Sequence, residues 1–257
     1  MPKADIIHTN AETIGDYGLC GYKNPKNESF RRKTEWTRAR FADGMRYNIL
    51  FSEKDGAVGG IEYVPGEKSW RPVNAKGYMM IHCIYIMNKD YKGFGYGQKL
   101  LDSCITDAVK NGHSGLVTIA RKGTWMASNE LFVQNGFVQC DSADPDYELL
   151  VKKFDDSEPD PSFKAVLHSP FTEQSKGLVI MTSDQCPYAV KTTPEIELIA
   201  KEKYDIEAKV IEIENAEQAQ NVPSAFGMFC MMWNGRVISD HPISKRRFTN
   251  IMDKIFK

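Results

Sequence analysis

No run of about 18 uncharged apolar residues occurs anywhere in the chain, so a membrane-spanning helix is not expected. The start, Met1-Pro2-Lys3-Ala4-Asp5, lacks the basic, apolar, small-residue order of a secretory leader, and this predicts a cytoplasmic protein without a membrane partner. Cysteines Cys20, Cys83, Cys104, Cys140, Cys186 and Cys230 stand apart, with no C-x-x-C pair and no histidine cluster beside them. Neither a disulfide framework nor a metal site is expected. Charge of neither sign dominates, since 33 Lys plus Arg face 34 Asp plus Glu for a net charge of -1. Nucleic acid is excluded as a default partner because no basic field collects phosphates. Arg31-Arg32-Lys33 and Lys245-Arg246-Arg247 are short enough to read as solvated helix faces. Internal repeats are absent too.

What remains is a globular composition, 42% apolar, 26% charged and 11% aromatic, with ample material for a core. At 257 residues the chain reaches the size at which single cores stop growing, which favours two domains. Residues 10–45 read as mainly helical. A hairpin follows, with strands at 47–52 and 57–64 around Lys54-Asp55-Gly56. The run Tyr78 to Met87 is apolar apart from His82 and suits a central strand covered on both faces. Gln98 to Lys110 forms a helix with Leu100, Leu101, Cys104, Ile105 and Val109 on one face. A strand at 116–120, a helix at about 126–134 and strands around 137–140 and 147–153 complete a first domain, 1–154. Polar, proline-bearing residues 155–176 read as a linker. The second domain, 177–257, restarts as β-α-β-α-β-β-α, with Asn234-Gly235 as its hairpin turn.

Glycines 93, 95 and 97 follow the buried strand and open a helix, an arrangement that lets backbone N–H groups and the helix dipole meet an anion such as a pyrophosphate. The spacing lacks the later part of a dinucleotide fingerprint and the Gly-Lys-Ser/Thr of a nucleotide-triphosphate loop. A tight turn without a ligand is the alternative.

The stretch Ile84 to Leu101 resembles the signature of the GNAT acetyltransferases, an apolar strand, a short turn, and Gln/Arg-x-x-Gly-x-Gly/Ala opening a helix, here with Lys92 at the Gln/Arg position and Gly95 and Gly97 as the small residues. Asn129 to Phe137 is similar to that family's second landmark, a helix ending in an aromatic, three residues and Gly-Phe. The resemblance covers roughly residues 45–153. It implies an α/β fold of the α+β kind with a mixed, splayed sheet and a cleft for the pantetheine arm of acetyl-CoA between the strand ending at Met87 and the strand at 116–120. Tyr85, Ile86 and Met87 would then meet pantetheine, with Tyr85 and Met87 pairing through their backbone and an N–H near Met87 stabilising the oxyanion. Lys92, Gly93, Phe94, Gly95, Tyr96, Gly97 and Gln98 would surround the pyrophosphate. Phe132 stands where many members carry an acidic tyrosine, which leaves water, Tyr85 or Tyr91 as the acid, or a thiolate that leaves unprotonated. Trp125 stands where the family often has an asparagine to pantetheine.

His82 reads either as the general base or as a core histidine. Glu62, on the preceding hairpin strand, is a comparable base or a surface carboxylate. Cys83 reads as packing. Trp70 and Arg71 either bind the acceptor amine, of a small molecule or a protein, or cover the core. Self-association as a homodimer is compatible with all of this.

In the second domain Ser183 to Ala189 resembles the thioredoxin and glutaredoxin turn, with Cys186 at a helix N-terminus. Pro223 stands where that fold carries a cis-proline. Ala189 replaces the resolving cysteine, so only monothiol chemistry or pairing with a partner such as Cys230 is left. A thioredoxin-like fold kept for assembly or substrate contact is the other reading. The GNAT module joined to the C-terminal Ala-Phe-Gly-Met-Phe segment resembles bacterial YoaP-type acetyltransferases. Three functions follow: an acetyl-CoA-dependent N-acetyltransferase acting by direct attack, a monothiol protein using Cys186, and a non-catalytic acyl-CoA binding module.

Overall fold

The computed structural model describes residues 2–123, 125–168 and 176–256. The chain divides into two compact units, one of residues 1–69 and 73–163, the other of residues 70–72 and 164–257.

In the first unit the order is β1 (Asp5–His8), α1 (Glu28–Arg40), β2 (Arg46–Ser52), β3 (Gly56–Pro65), β4 (Val73–Asn74), β5 (Tyr78–Ile86), α2 (Tyr96–Lys110), β6 (Gly115–Arg121), α3 (Glu130–Val133), β7 (Val138–Ala143), β8 (Tyr147–Lys153) and β9 (Ser162–Phe163). Seven strands form one mixed sheet ordered β1-β2-β3-β5-β6-β8-β7, and β4 pairs with β9. The expected hairpin is β2–β3, turned at Gly56. Of residues 10–45 only α1 is a regular α-helix. It starts late because Asn24, Pro25 and Asn27 favour turns, and the Asn27 side chain accepts the Phe30 N–H as its N-cap. The helix expected at 126–134 shrinks to the single turn of α3. Arg121 N–H reaches Ala127 O, which ties Ala127 to the end of β6, and the Asn129 side chain donates to Glu148.

Leu100, Leu101, Cys104 and Ala108 of α2 are buried against one face of the sheet, while Val109 is exposed. On the other face Ile14, Leu19, Phe30, Tyr47 and Ile49 form a smaller cluster with α1.

One irregularity shapes the sheet. Glu62 pairs with Cys83 and the next residue, Tyr63, pairs with Ile81, so His82 is an extra residue bulged out of β5. Parallel pairing of β5 with β6 runs from Tyr78–Gly115 to Ile81–Thr118 and stops there. Beyond it β5 stays with β3 up to Ile86, and β6 stays with β8 up to Arg121. A bulge bends and overtwists the strand that carries it, so the two strands part at His82. Burial follows: β5 is buried from Tyr78 to His82 and half-exposed from Cys83 to Ile86, rather than covered on both faces to its end.

The second unit runs β10 (Leu178–Thr182), α4 (Pro187–Tyr204), β11 (Lys209–Glu212), α5 (Ala216–Ala219), β12 (Phe229–Trp233), β13 (Arg236–Ser239) and α6 (Lys245–Ile255). This is the β-α-β-α-β-β-α order of the sequence, in a sheet β11-β10-β12-β13 with only β10–β11 parallel. Both Asn234 and Gly235 have positive φ, as a two-residue hairpin loop requires. Among the described residues the one cis peptide is Asp144–Pro145, so Pro223 is not the expected cis-proline. It follows α5 in a run of tight turns closed by Asn221 N–H to Gln218 O and Gly227 N–H to Ser224 O.

Replacing Asn27 by Ala leaves the Phe30 N–H uncapped. The expected cost is about 1 kcal/mol, read as a small drop in the thermal midpoint of the first unit. An unchanged midpoint would contradict the cap.

Candidate active site

The bulge sets which way each residue of β5 faces. Strict alternation would put His82 and Tyr85, three apart, on opposite faces of the sheet. With the extra residue, Ile81, Ile84 and Ile86 pack on the α2 side, while His82 and Tyr85 join partners on the α1 side. The backbone alternates as well. Met87 N–H donates to Val58 O at 2.8 Å, so the main-chain groups of Met87, Tyr85 and Cys83 face β3, and those of Ile86 and Ile84 face the edge that β6 has left. This corrects the expectation for Tyr85 and Met87, whose backbone is committed to β3. The groups turned to the wedge are the intervening ones.

At the mouth of the wedge the chain turns through Lys92, Gly93, Phe94 and Gly95 into α2. Gly95 occupies the N-cap position with φ 77° and no capping side chain, and the first intrahelical bond is Lys99 N–H to Gly95 O at 3.0 Å. The N–H groups of Tyr96, Gly97 and Gln98 therefore leave the helix end without an intrahelical acceptor. A Cβ built on Gly93 or Gly95 would meet nothing within 4 Å, so this backbone is open to close approach by an anion. Side chains around it serve the scaffold: the Tyr96 hydroxyl donates to Pro2 O and accepts the Ala4 N–H, and the Gln98 amide pairs with Asn135 and Asp102. Lys92 and Phe94 are exposed. A separate cavity of about 470 Å³, bounded by β1, the β2–β3 turn and Asp90–Tyr91, shares no residue with this mouth.

Beneath the bulge lies a buried charged group. Lys33, Glu62 and His82 are 1%, 2% and 5% exposed. The Lys33 ammonium is ion-paired with Glu62 Oε2 and lies 4.7 Å from the Trp36 ring and 5.5 Å from that of Tyr47. His82 Nδ1 is 3.1 Å from Glu62 Oε1, and His82 Nε2 is 3.5 Å from Ser69 Oγ. Burial opposes the Glu62 charge, but Lys33 and then the His82 hydrogen bond outweigh it and hold the carboxyl well below its ordinary 4.5. Burial likewise opposes the Lys33 charge, and Glu62 reverses it, leaving the amine raised above 10.5. Lys33 was expected on a solvated face of α1. Its neighbours Arg31 and Arg32 do reach the surface, but the helical turn places Lys33 with Phe30, Thr34 and Thr37 among the buried residues of α1.

Several expected residues have structural partners of their own. Tyr85 Oη accepts the Cys20 N–H at 2.9 Å and pairs with Tyr47 Oη at 2.9 Å, and burial pushes both phenols well above 10. The Tyr91 hydroxyl donates to Asp55 and pairs with the Ser52 hydroxyl. Phe132 is buried in the α2-side core, edge-on to Phe137 at 5.3 Å. Trp125 is partly exposed in the loop after β6, with φ 81°. Trp70 and Arg71 belong to the second unit and are each 1% exposed. The Arg71 guanidinium donates to Gln185 Oε1 at 2.9 Å and lies over Phe226. Cys186 sits at the N-cap position of α4 ahead of Pro187. Cys230 is buried on β12, and burial, with Asp240 adding to it, raises its thiol far above the usual range, so it stays protonated. Among the described residues no group of three or more His, Cys, Asp and Glu is arranged to hold a metal ion, and no helix is long and apolar enough to cross a membrane.

Residues 208–250 match a family model described as YoaP-like. The chain is 27% identical over 253 residues, 97% of its own length and 98% of the relative's, to "Uncharacterized N-acetyltransferase YoaP" of Bacillus subtilis (strain 168). Among solved structures it is similar to yncA of Salmonella typhimurium with its cofactor acetyl-CoA, at 16% identity, TM-score 0.46, and coverage of 61% of this chain and 98% of that one. It is also similar to the GNAT family N-acetyltransferase YhbS of Escherichia coli in complex with CoA, at 11% identity, TM-score 0.42, and coverage of 64% and 92%.

Because the Glu62 carboxyl is lowered on folding, it contributes stability above its ordinary pKa of 4.5 and loses that contribution as pH falls below it. Glu62→Gln leaves a buried ammonium without its counter-ion, an expected loss of about 3–5 kcal/mol at pH 7. The same variant should show a shallower decline in unfolding free energy between pH 5 and the acid limit. Denaturant titrations at several pH values check both, and equal slopes in the two proteins would contradict the assignment.

Proposed function

We propose that this chain is an acetyl-CoA-dependent N-acetyltransferase that moves an acetyl group directly to a primary amine of a small molecule or protein. The observation that carries the reading is the parting of β5 from β6 at the His82 bulge, with the uncapped start of α2 at the mouth of the wedge. The near full-length similarity to a relative named as an N-acetyltransferase supports it.

The residues present suit such a cosubstrate. Open backbone at Gly93 and Gly95 and the N–H groups of Tyr96, Gly97 and Gln98 would hold the diphosphate, and the main-chain groups of Ile84 and Ile86 would meet the pantetheine arm. Acetyl-CoA, when bound, supplies an activated thioester carbonyl. An N–H from that same edge of β5, rather than from Met87, would stabilise the developing oxyanion. His82 serves as the base. An ionised Glu62 only accepts, so the short contact at Nδ1 makes Nδ1 the protonated nitrogen and leaves the Nε2 lone pair toward Ser69 Oγ, the side from which an amine proton is taken. Glu62, held as an ion by Lys33, orients that ring instead of taking the proton itself. The leaving thiolate, with a pKa of about 8.5, needs no side-chain acid. This dispenses with Tyr85 and Phe132 in that role.

The second unit fits a thioredoxin-like fold by strand order, with Ala189 at the resolving position and Cys230 too deeply buried to ionise. We assign it to assembly or acceptor contact rather than to thiol chemistry.

Release of CoA thiol across a panel of amines tests the reading. His82→Gln should lower kcat about 10²- to 10⁴-fold. Gly95→Asp, which strains a left-handed position and places a carboxylate at the anion cradle, should weaken acetyl-CoA binding at least about tenfold. Cys186→Ser should leave turnover intact. Full turnover in His82→Gln, or loss confined to Cys186→Ser, would overturn it.

A further inference from the structure

Lys33 lies in the protein interior, where an ammonium is retained only against a partner. Among the described residues its ion-pair partner is Glu62, the faces of Trp36 and Tyr47 lie against it, and the Cys20 and Cys83 thiols are nearby. Glu62 in turn presents its other oxygen to His82 Nδ1. We propose that Lys33 is a positioning residue of the site: by keeping Glu62 an acceptor-only ion, it locks His82 in the tautomer with hydrogen on Nδ1 and reserves Nε2 for proton transfer.

This inference rests on the acetyltransferase reading for its purpose, but the tautomer can be measured without it. An imidazole whose Nδ1 faced a protonated carboxyl could accept there instead and carry its hydrogen on Nε2, turning a base into a donor at the reacting side. The Lys33 charge removes that alternative. The charged and titratable groups around His82 include Lys33 from α1, Glu62 from β3 and Cys83 on β5, with the Ser69 hydroxyl at Nε2. Cys20, Tyr47 and Tyr85 lie farther along the same face. Burial holds the Cys20 thiol and both phenols raised, so they stay neutral near pH 7. The Lys33–Glu62 ion pair places a charged carboxylate directly at Nδ1 of the ring.

The full chain, labelled with ¹⁵N-histidine, gives the test through its ring-nitrogen shifts, with His82→Gln identifying His82 among the five histidines. Wild type should show His82 protonated at Nδ1 and bare at Nε2 in its neutral form. Lys33→Met removes the cation from the Glu62–His82 pair, so the pair should take up its proton about one pH unit higher, a tenfold gain in proton affinity, and the neutral ring should no longer be held to the tautomer with hydrogen on Nδ1. Lys33→Arg, which keeps the charge, should leave the midpoint in place. If Lys33→Met does not fold, Lys33→Gln keeps a donor to Glu62 without the charge and should show the same rise. A neutral ring protonated at Nε2 in wild type, or a midpoint unmoved when the charge is removed, would overturn the proposal. A protein with the expected tautomer and shift that transfers no acetyl group would instead count against the acetyltransferase reading alone.

Discussion

Strand β5 loses β6 as a neighbour beyond Ile81, and the structure of the first unit turns on that fact. The extra residue at His82 bends β5 toward β3, ends its pairing with β6, and shifts every later side chain of β5 to the opposite face from the one a regular strand would give it. Three consequences share this origin. An edge of main-chain groups at Ile84 and Ile86 is left without a strand partner beside it, His82 meets Glu62 on the α1 side, and the chain runs from the end of that freed segment through the glycine turn into α2. Unpaired strand edges are costly when nothing covers them, so a sheet that keeps one inside its own width points to a ligand that completes it.

The Lys33–Glu62 pair is the second constraint. Removing two charges from water costs several kcal/mol per ion, and their attraction recovers this only with good geometry and further hydrogen bonds. A hydrophobic pair of similar volume would serve stability as well. What such a pair would not do is hold a histidine in one tautomer at the point where the strands part. The aromatic faces of Trp36 and Tyr47 around the ammonium and the hydrogen bond from His82 to the carboxylate are the features that let the charges stay inside.

Much of this was legible in the sequence. Alternation and turn residues predict the β2–β3 hairpin, β5, α2, β6, β8 and the whole order of the second unit, and three alternating glycines after a buried strand mark the helix start. His82 and Glu62 stand out as the titratable residues of two apolar strands, and the structure brings them together. Lys33 does not stand out, because it sits in a run of three basic residues. Helical rotation, not composition, decides which of the three turns inward. The bulge is silent too: an extra residue in a strand changes register against two neighbours and leaves no mark in local pattern, so the main-chain roles given to Tyr85 and Met87 fall one residue out of phase. Trp70 and Arg71 look like a recognition loop, but a long-range partner, Gln185, 114 residues away from Arg71, buries the arginine.

The central claim is that the gap between β5 and β6 receives acetyl-CoA along the freed edge of β5 and at the first turn of α2. Amide hydrogen exchange resolved to single residues, with and without acetyl-CoA, tests it most directly. The account predicts slowed exchange at Ile84 or Ile86 and at Tyr96 to Gln98 when the ligand is present, and no change at Met87, whose N–H already belongs to Val58. Protection at Met87 with none at Ile84 and Ile86, or no protection anywhere in this region, would contradict it.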